Sequence, residues 1–392
     1  MERNIVHLDL DTFFVSVERL LNSNLVGKPI IIGGTSDRGV VASCSYESRK
    51  FGVSSAMPMK MARHLCPQAI VVRGDMDKYS RYSDLVTAVI ADSAPVYEKA
   101  SIDEHYLDIT GMDRFFGCYK WSKELRERII RETGLPISFG LSVNKTVSKI
   151  ATGEAKPNGV IEIQESLVKP FLNPLSIKKM PGIGDKTYRS LRTMGIDTIG
   201  TLSLIPLDVM VRVLGQNGSD IWKKSNGIDQ TPVKPYSTRK SIGTEHTFDK
   251  DVIDMQYLNQ VIIAMVEKLG YELRKSQRLT SCITVKIRYS NFDTHTQQKR
   301  IAYTSFDHHI IEVAQELFKK VYNRRMRIRL IGVKFSYLIH GTQQLDLFDN
   351  TPKLVNLYQA CDNMRNRYGF DAVKRSVAMK DHPVIVTLPS GR

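Results

Sequence analysis

The sequence predicts an α+β fold built from several domains, and three features predict it. Strand-like and helix-like segments interleave through the first 165 residues. The stretch from Asn173-Pro174 to Asp229 then reads as helical pieces broken by glycines. After the closely spaced Pro232 and Pro235, which mark an extended linker, a second mixed region begins. A chain of 392 residues accommodates two to four such domains.

Element by element, residues 5–11 read as a strand, 12–21 as a helix, 29–32 as a short buried strand and 40–46 as another strand. Apolar residues recur at helical spacing over 79–91 and over the charged amphipathic stretch 121–132, with strands at 105–109 and 137–143. In the second mixed region, helices are expected at 255–275 and 308–321. Strands are expected at 281–289, 299–304 and 326–338, and helical text recurs at 354–368 and 371–377.

Apolar residues make up 42% and charged residues 25%, the balance of a folded globular protein. The formal charge of +15 points to a polyanionic partner, nucleic acid first and an anionic membrane second. No apolar run approaches the roughly 20 residues that span a bilayer, and no signal-peptide core follows the charged N-terminus. Cys44, Cys66, Cys118, Cys282 and Cys361 are scattered and form no C-x-x-C pair. They suit a reducing cytoplasm and argue against a disulfide framework or a structural zinc.

Two acidic segments attract attention. In His7-Leu8-Asp9-Leu10-Asp11, residues two apart share a strand face, so Asp9 and Asp11 point the same way. Almost 100 residues on stands Ser101-Ile102-Asp103-Glu104. Crowded carboxylates are costly unless neutralised, and hard oxygen donors without nearby His or Cys favour Mg²⁺ or Mn²⁺. Each acid taken alone reads more readily as solvated or as a helix cap; it is the combination in a basic protein that points to a cation. Tyr46 and Arg49 share one side of a helical turn and together can grip phosphate oxygens, although a Tyr stacked on a surface Arg would look the same. Lys156 stands where a helix must stop before Pro157 and can project into a cleft.

Pro181-Gly182-Ile183-Gly184-Asp185-Lys186 has the helix–hairpin–helix form, whose glycines let backbone N–H groups approach a DNA phosphate. Leu214-Gly215-Gln216-Asn217-Gly218 reads as a weaker copy. Between Val233 and Gly341, Lys and Arg outnumber Asp and Glu by 19 to 10. There Arg325, Arg327 and Arg329 alternate with Met326, Ile328 and Leu330, which on a strand gives a basic face over an apolar one. Gln344-Leu345-Asp346-Leu347-Phe348 is an apolar-tipped segment suited to a partner's groove or to packing at home.

In this order the segments resemble the Y-family DNA polymerases, and within them the DinB branch. The matching text is His7-Leu8-Asp9-Leu10-Asp11-Thr12-Phe13-Phe14, then Ser45-Tyr46-Glu47-Ser48-Arg49-Lys50-Phe51-Gly52-Val53. Ser101-Ile102-Asp103-Glu104, Ala155-Lys156-Pro157-Asn158-Gly159 and the Pro181–Gly184 hairpin follow. The resemblance runs from residue 1 to about 348. His105 departs from it, standing where the family has a small apolar residue. About 44 residues follow the clamp-like peptide, a layout that also resembles the UmuC branch.

The resemblance implies a right-hand polymerase. The ferredoxin-like palm would take residues 1–11 and 75–165, the fingers 12–74, and the helix-hairpin-helix thumb 166–230. A linker at 231–240, a little finger at 241–342, and a clamp-binding peptide with helical tail at 343–392 complete it. It further implies Asp9, Asp103 and Glu104 as catalytic ligands of two Mg²⁺ ions, replaceable by Mn²⁺, helped by the Leu10 carbonyl. Phe13, Phe14, Ser43, Tyr46, Arg49 and Lys156 would bind the nucleotide, with Phe14 as steric gate. Gly182, Gly184, Lys186, Arg325, Arg327 and Arg329 would bind DNA, and Gln344, Leu345, Leu347 and Phe348 a sliding clamp. The implied activity is translesion DNA synthesis without proofreading by a cytoplasmic monomer acting on primer-template DNA and deoxynucleoside triphosphates. A UmuC-like polymerase needing accessory subunits and a non-catalytic DNA-binding scaffold are the competing readings.

Overall fold

Strand β1 (Ile5–Leu10) lies at the centre of a five-stranded sheet, with every side chain buried or half-buried. The computed structural model describes residues 3–112, 117–235, 238–341 and 351–378. The chain divides into two compact units, Met1–Ser237 and Thr238–Arg392.

After β1 the first unit runs through α1 (Phe13–Leu21), β2 (Ile30–Gly33), β3 (Val41–Cys44), α2 (Tyr46–Arg49), α3 (Met59–Leu65) and β4 (Ile70–Val72). It continues with α4 (Met76–Ser93), β5 (Val96–Lys99), β6 (Glu104–Asp108), α5 (Cys118–Thr133), β7 (Ile137–Ser142), α6 (Lys145–Ala155) and β8 (Val160–Ile163). Five helices close it: α7 (Val168–Leu172), α8 (Asp185–Thr193), α9 (Ile199–Ser203), α10 (Leu207–Leu214) and α11 (Gln216–Ser225).

The central sheet has the order β5-β6-β1-β7-β8, with β1 antiparallel to both neighbours. The two-residue period of a strand divides β1 between its faces. Val6, Leu8 and Leu10 join a core that includes Val86, Ile90, Leu125 and Ile129 of α4 and α5. His7 and Asp9 face the other way, toward α6, whose Thr152 and adjoining Lys156 reach them. That helix is capped by the Asn144 side chain, which accepts from Val147 N. It ends at Lys156, held extended by the proline that follows.

Gly140 lets α6 lie close. It pairs with His7 in register, and a Cβ there would stand 2.3 Å from Ser148 O and 2.6 Å from Thr152 N. A small sheet, β3-β2-β4, packs on α3 through Ile31, Val41, Met59 and Ala62. Helices α7–α11 share a separate core that includes Leu172, Leu191, Leu202, Met210 and Ile221. The segment after α11, expected as a linker, is tied down at its start. Arg3 donates to Thr231 O, Asp229 accepts from Thr146, and Val233 is buried beside Ile5 and Tyr106.

The second unit contains β9 (Ser241–Val252), α12 (Met255–Lys275), β10 (Arg278–Tyr289), β11 (Thr294–Thr304), α13 (Asp307–Val321), β12 (Ile328–Ser336), β13 (Ile339–His340) and α14 (Thr351–Tyr368). Its main sheet is antiparallel, in the order β11-β10-β12-β9, and buries one face under α12 and α13. The C-terminal helix α14 is anchored by charge. Arg274 binds both Asp307 and Asp362, and Tyr358 stacks on Phe306.

Several expectations change here. Strand β9 was not anticipated, because Ser241-Ile242-Gly243-Thr244-Glu245-His246 has too few apolar residues to read as one. The basic strand face expected at Arg325, Arg327 and Arg329 is formed only in part. Arg325 and Arg327 precede β12 and are exposed, and only Arg329 lies on it, beside a register shift between Ile328 and Leu330; exposure still alternates, with Met326 half-buried and Ile328 and Leu330 buried. The helix expected at 371–377 is instead two short 3₁₀ turns after Gly369, whose φ of 93° stops α14.

Gly140→Ala is expected to lower folding stability by about 1–3 kcal/mol, the usual cost of overpacking a closed contact. Urea unfolding of the full chain reads it, and an unchanged midpoint would show that α6 has room to retreat.

Candidate active site

A stripe of one helix meets one face of one sheet. On α6, Lys145, Thr152 and Lys149 recur at helical spacing, and Lys156 follows at the cap. On the sheet, His7 lies opposite Tyr106 and Asp9 opposite Glu104. The two rows mate residue by residue. Lys145 Nζ lies 4.4 Å from the centre of the Tyr106 ring and bonds both oxygens of Glu98. Lys149 Nζ donates to Glu104 Oε1 at 2.5 Å. The Thr152 hydroxyl lies 2.9 Å from His7 Nδ1, and Lys156 donates to Asp9 and, at 3.4 Å, to the Leu10 carbonyl.

The electrostatics follow from that mating. Burial pushes the Asp9 carboxyl above its usual range against the pull of Lys156, and the nearby Glu104 and Asp103 charges push the same way. Glu104 is held well below the usual range, first by His7 and then by Lys149, against burial. Burial lowers His7 to about 4, so its ring is neutral. Asp103 sits in the turn before β6, its Oδ1 accepting from Ser101 Oγ at 2.5 Å and its carbonyl from Leu10 N.

Among the described residues no three His, Cys, Asp or Glu groups converge as a ready-made metal cluster. Lys156 and Lys149 each lie on one of the acids instead. The donor chemistry nevertheless fits a hard divalent cation. Asp9 and Glu104 are adjacent in register, Asp103 precedes them in a turn bonded to β1, and burial disfavours the charged form of Asp9, a cost that such a cation relieves.

Asp11, left without a role in the sequence reading, is a structural hub. Its buried carboxylate accepts from Tyr46 Oη at 3.2 Å, Ser138 Oγ at 2.9 Å and Asn158 N at 2.7 Å. It therefore joins α2, β7 and the loop after Lys156. Thr12, next to it, has φ 44°, an uncommon conformation for a β-branched residue, at the turn that launches α1.

From that turn Phe13 enters the core, while Phe14 is half-buried and stacks on Tyr79 at 4.3 Å and 13°. Tyr46 and Arg49 share α2, with the guanidinium 5.1 Å from the ring centre. Burial, with Asp11 beside it, drives the Tyr46 hydroxyl to titrate far above its ordinary range, so it stays a donor. Ser43 is buried on β3, paired with Ile32.

The other expected positions lie elsewhere. Gly182 has φ 102°, Gly184 caps α8, Lys186 is exposed in its first turn, and among the described residues a Cβ on either glycine would meet nothing within 4 Å. The weaker copy at Gly215 is also a turn between two helices, α10 and α11: Gly215 has φ 63° at the start of α11, whereas a Cβ on Gly218 would lie 2.1 Å from Met210 O. His105 is buried with Nε2 3.0 Å from Thr87 Oγ1, on the face away from α6. Gln344, Leu345, Leu347 and Phe348 lie outside the described residues. The sequence reading missed Lys145, Lys149 and Thr152 as contributors, and the regular spacing that ends at Lys156 was the available signal.

Residues 8–153 match the impB/mucB/samB family, and residues 239–347 match its C-terminal domain. A protein named DNA polymerase IV from Dehalococcoides mccartyi strain BAV1 is 37% identical over 385 residues, spanning 97% of this chain and 99% of its own. That match takes in most of the residues after Phe348. A protein of the same name from Treponema denticola is 36% identical over 85% of each chain. Among solved structures, a Y-family DNA polymerase chimera superposes with a TM-score of 0.77 at 29% identity, covering 86% of this chain and 100% of its own.

Proposed function

The chain belongs to the impB/mucB/samB family, is a DNA-directed DNA polymerase of the Y-family translesion type, and we propose that the acids under α6 are its catalytic centre. The observation that supports this placement is the meeting of Asp9 and Glu104 on adjoining strands beneath Lys149 and Lys156. Y-family polymerases use divalent metal ions. In this reading Asp9, Asp103 and Glu104, helped by the Leu10 carbonyl, hold two Mg²⁺ ions. Those ions, when bound, supply activation of the primer 3′-hydroxyl and neutralisation of the triphosphate charge.

The chain's own groups do the positioning. Tyr46, Arg49 and Lys156 grip the triphosphate, with Lys156 Nζ turning from Asp9 to a phosphate oxygen. Asp11 fixes the Tyr46 hydroxyl, so the grip and the acids share one support. Phe13 and Ser43 line the nucleotide from the core side, and Phe14, braced by Tyr79, excludes a 2′-hydroxyl. Phosphoryl transfer asks little covalent chemistry of the protein, so alignment and charge placement make up the catalytic contribution.

In the same reading the central sheet with α4–α6 is the palm, residues 12–74 the fingers, and α7–α11 the thumb. The second unit's sheet and helices are the little finger. The backbone at Gly182 and Gly184 together with Lys186, Arg325, Arg327 and Arg329 contacts DNA phosphates without reading sequence. Gln344, Leu345, Leu347 and Phe348 dock a sliding clamp, tethering a cytoplasmic monomer at the primer end. Among the described residues no helix is long and apolar enough to cross a membrane.

Asp103→Ala and Glu104→Ala are each expected to abolish primer extension while DNA affinity changes less than about threefold. The motive is that these carboxylates hold cations and not phosphates. Extension by either variant would remove the metal assignment. Phe14→Ala is expected to stay folded, because Tyr79 keeps its bond to Glu18, and to gain ribonucleotide incorporation. A folded variant with unchanged sugar preference would show that the ring serves only to pack.

A further inference from the structure

The His7 ring is almost wholly buried, and the proposed mechanism gives it no task. Its Nδ1 faces the Thr152 hydroxyl at 2.9 Å. Among the described residues its Nε2 makes no hydrogen bond of ordinary length, and it faces Glu104 Oε2 at 3.8 Å. The other oxygen of that carboxylate is held by Lys149 at 2.5 Å. A buried donor or acceptor is costly when left unmatched, and this one is aimed at the carboxylate of Glu104.

The hydrogen inventory narrows the choice. A neutral imidazole has one N–H. The Thr152 hydroxyl has one hydrogen and three acceptors at 2.9 Å: His7 Nδ1, His7 O and Ser148 O. If it donates to a carbonyl, the ring proton lies on Nδ1, and the Nε2 lone pair then faces a carboxylate oxygen, which is repulsive. If it donates to Nδ1, the ring carries its proton on Nε2, and that proton points at Glu104. Glu104 can accept from both Lys149 and His7 and still present free lone pairs, since a carboxylate has about four acceptor positions.

We propose that His7 is a positioning residue for Glu104: held by Thr152 in its Nε2–H form, it donates to Glu104 Oε2 and fixes how that carboxylate faces the metal. Such outer partners of a ligand commonly contribute 10–100-fold to metal affinity. The inference rests on Glu104 being a metal ligand. The ring's place is built into the sheet, because His7 lies two residues before Asp9 and opposite Tyr106, against which it tilts at 4.6 Å.

Two measurements on the full chain test it. In wild-type protein labelled with ¹⁵N-histidine, the His7 ring is expected to show Nε2 protonated and Nδ1 bare, and a ring protonated at Nδ1 overturns the proposal. This reading needs no variant and no metal. Second, Mn²⁺ affinity is read by electron paramagnetic resonance, with the chain on a dideoxy-terminated primer-template and a matching deoxynucleotide. His7→Phe, which keeps the aromatic contact with Tyr106, is expected to weaken Mn²⁺ binding about tenfold. His7→Gln, which keeps a donor, should restore it to within about threefold, and in a Glu104→Gln background His7→Phe should add nothing. Unchanged Mn²⁺ affinity in His7→Phe, with Glu104→Gln weakened, overturns the role of His7 alone. Unchanged affinity in Glu104→Gln overturns the metal reading and this inference together.

Discussion

The close contact of α6 with the central sheet is the constraint on which the rest of the site depends. It requires a glycine at position 140, because the backbone of Ser148 and Thr152 occupies the space a side chain would need. It requires a helix that starts at the Asn144 cap and stops at Lys156, so that its stripe ends beside Asp9. Given those two conditions, a helical period and a strand period bring three lysines and a threonine onto an acid-bearing strand face. The same contact explains the opposed shifts of the two acids. Asp9 is raised chiefly by burial, while Glu104 is lowered by His7 and Lys149.

Asp11 extends the constraint outward. By accepting from α2, from β7 and from the loop after Lys156, one buried carboxylate couples the residues proposed to grip the triphosphate to the sheet. A polymerase active site gains from such coupling, since small displacements of positioning groups are costly in rate. The left-handed Thr12 sits at this junction and turns the chain so that Phe13 goes inward and Phe14 meets Tyr79. Strain at one residue is tolerated there because the hydrogen bonds around it determine the backbone.

Much of this was legible in the sequence where local pattern decides the outcome. The alternation in β1, the helical period of α12, whose bounds the reading matched, and the stop imposed by Pro157 are all local properties. The two acidic segments stood out by their local text, and the fold brings Asp9 and Glu104 opposite one another. What was not legible depends on contacts distant in sequence. Lys149 meets Glu104 across 45 residues, and Asp11 gathers partners as far as 147 residues away. Strand β9 is held by its pairing with β12 rather than by apolar content, so its text looked like a loop. The basic row at Arg325–Arg329 was placed wholly on a strand because a two-residue period does not show where a strand begins, and β12 starts only at Ile328. The family text suggested roles for Phe14 and Tyr46, but their supports, Tyr79 and Asp11, emerged only from the fold.

The central claim is that the face shared by β1, β6 and α6 holds the reacting groups. A crystal structure of the full chain with Mn²⁺, dideoxy-terminated primer-template DNA and a matching deoxynucleoside triphosphate tests it most directly, through the anomalous signal of manganese. The account predicts manganese on the carboxylates of Asp9, Asp103 and Glu104, with Lys149 still on Glu104 and Lys156 Nζ moved from Asp9 to a phosphate oxygen. Manganese bound away from these three acids, with Lys156 still on Asp9 while the nucleotide is in place, would contradict it.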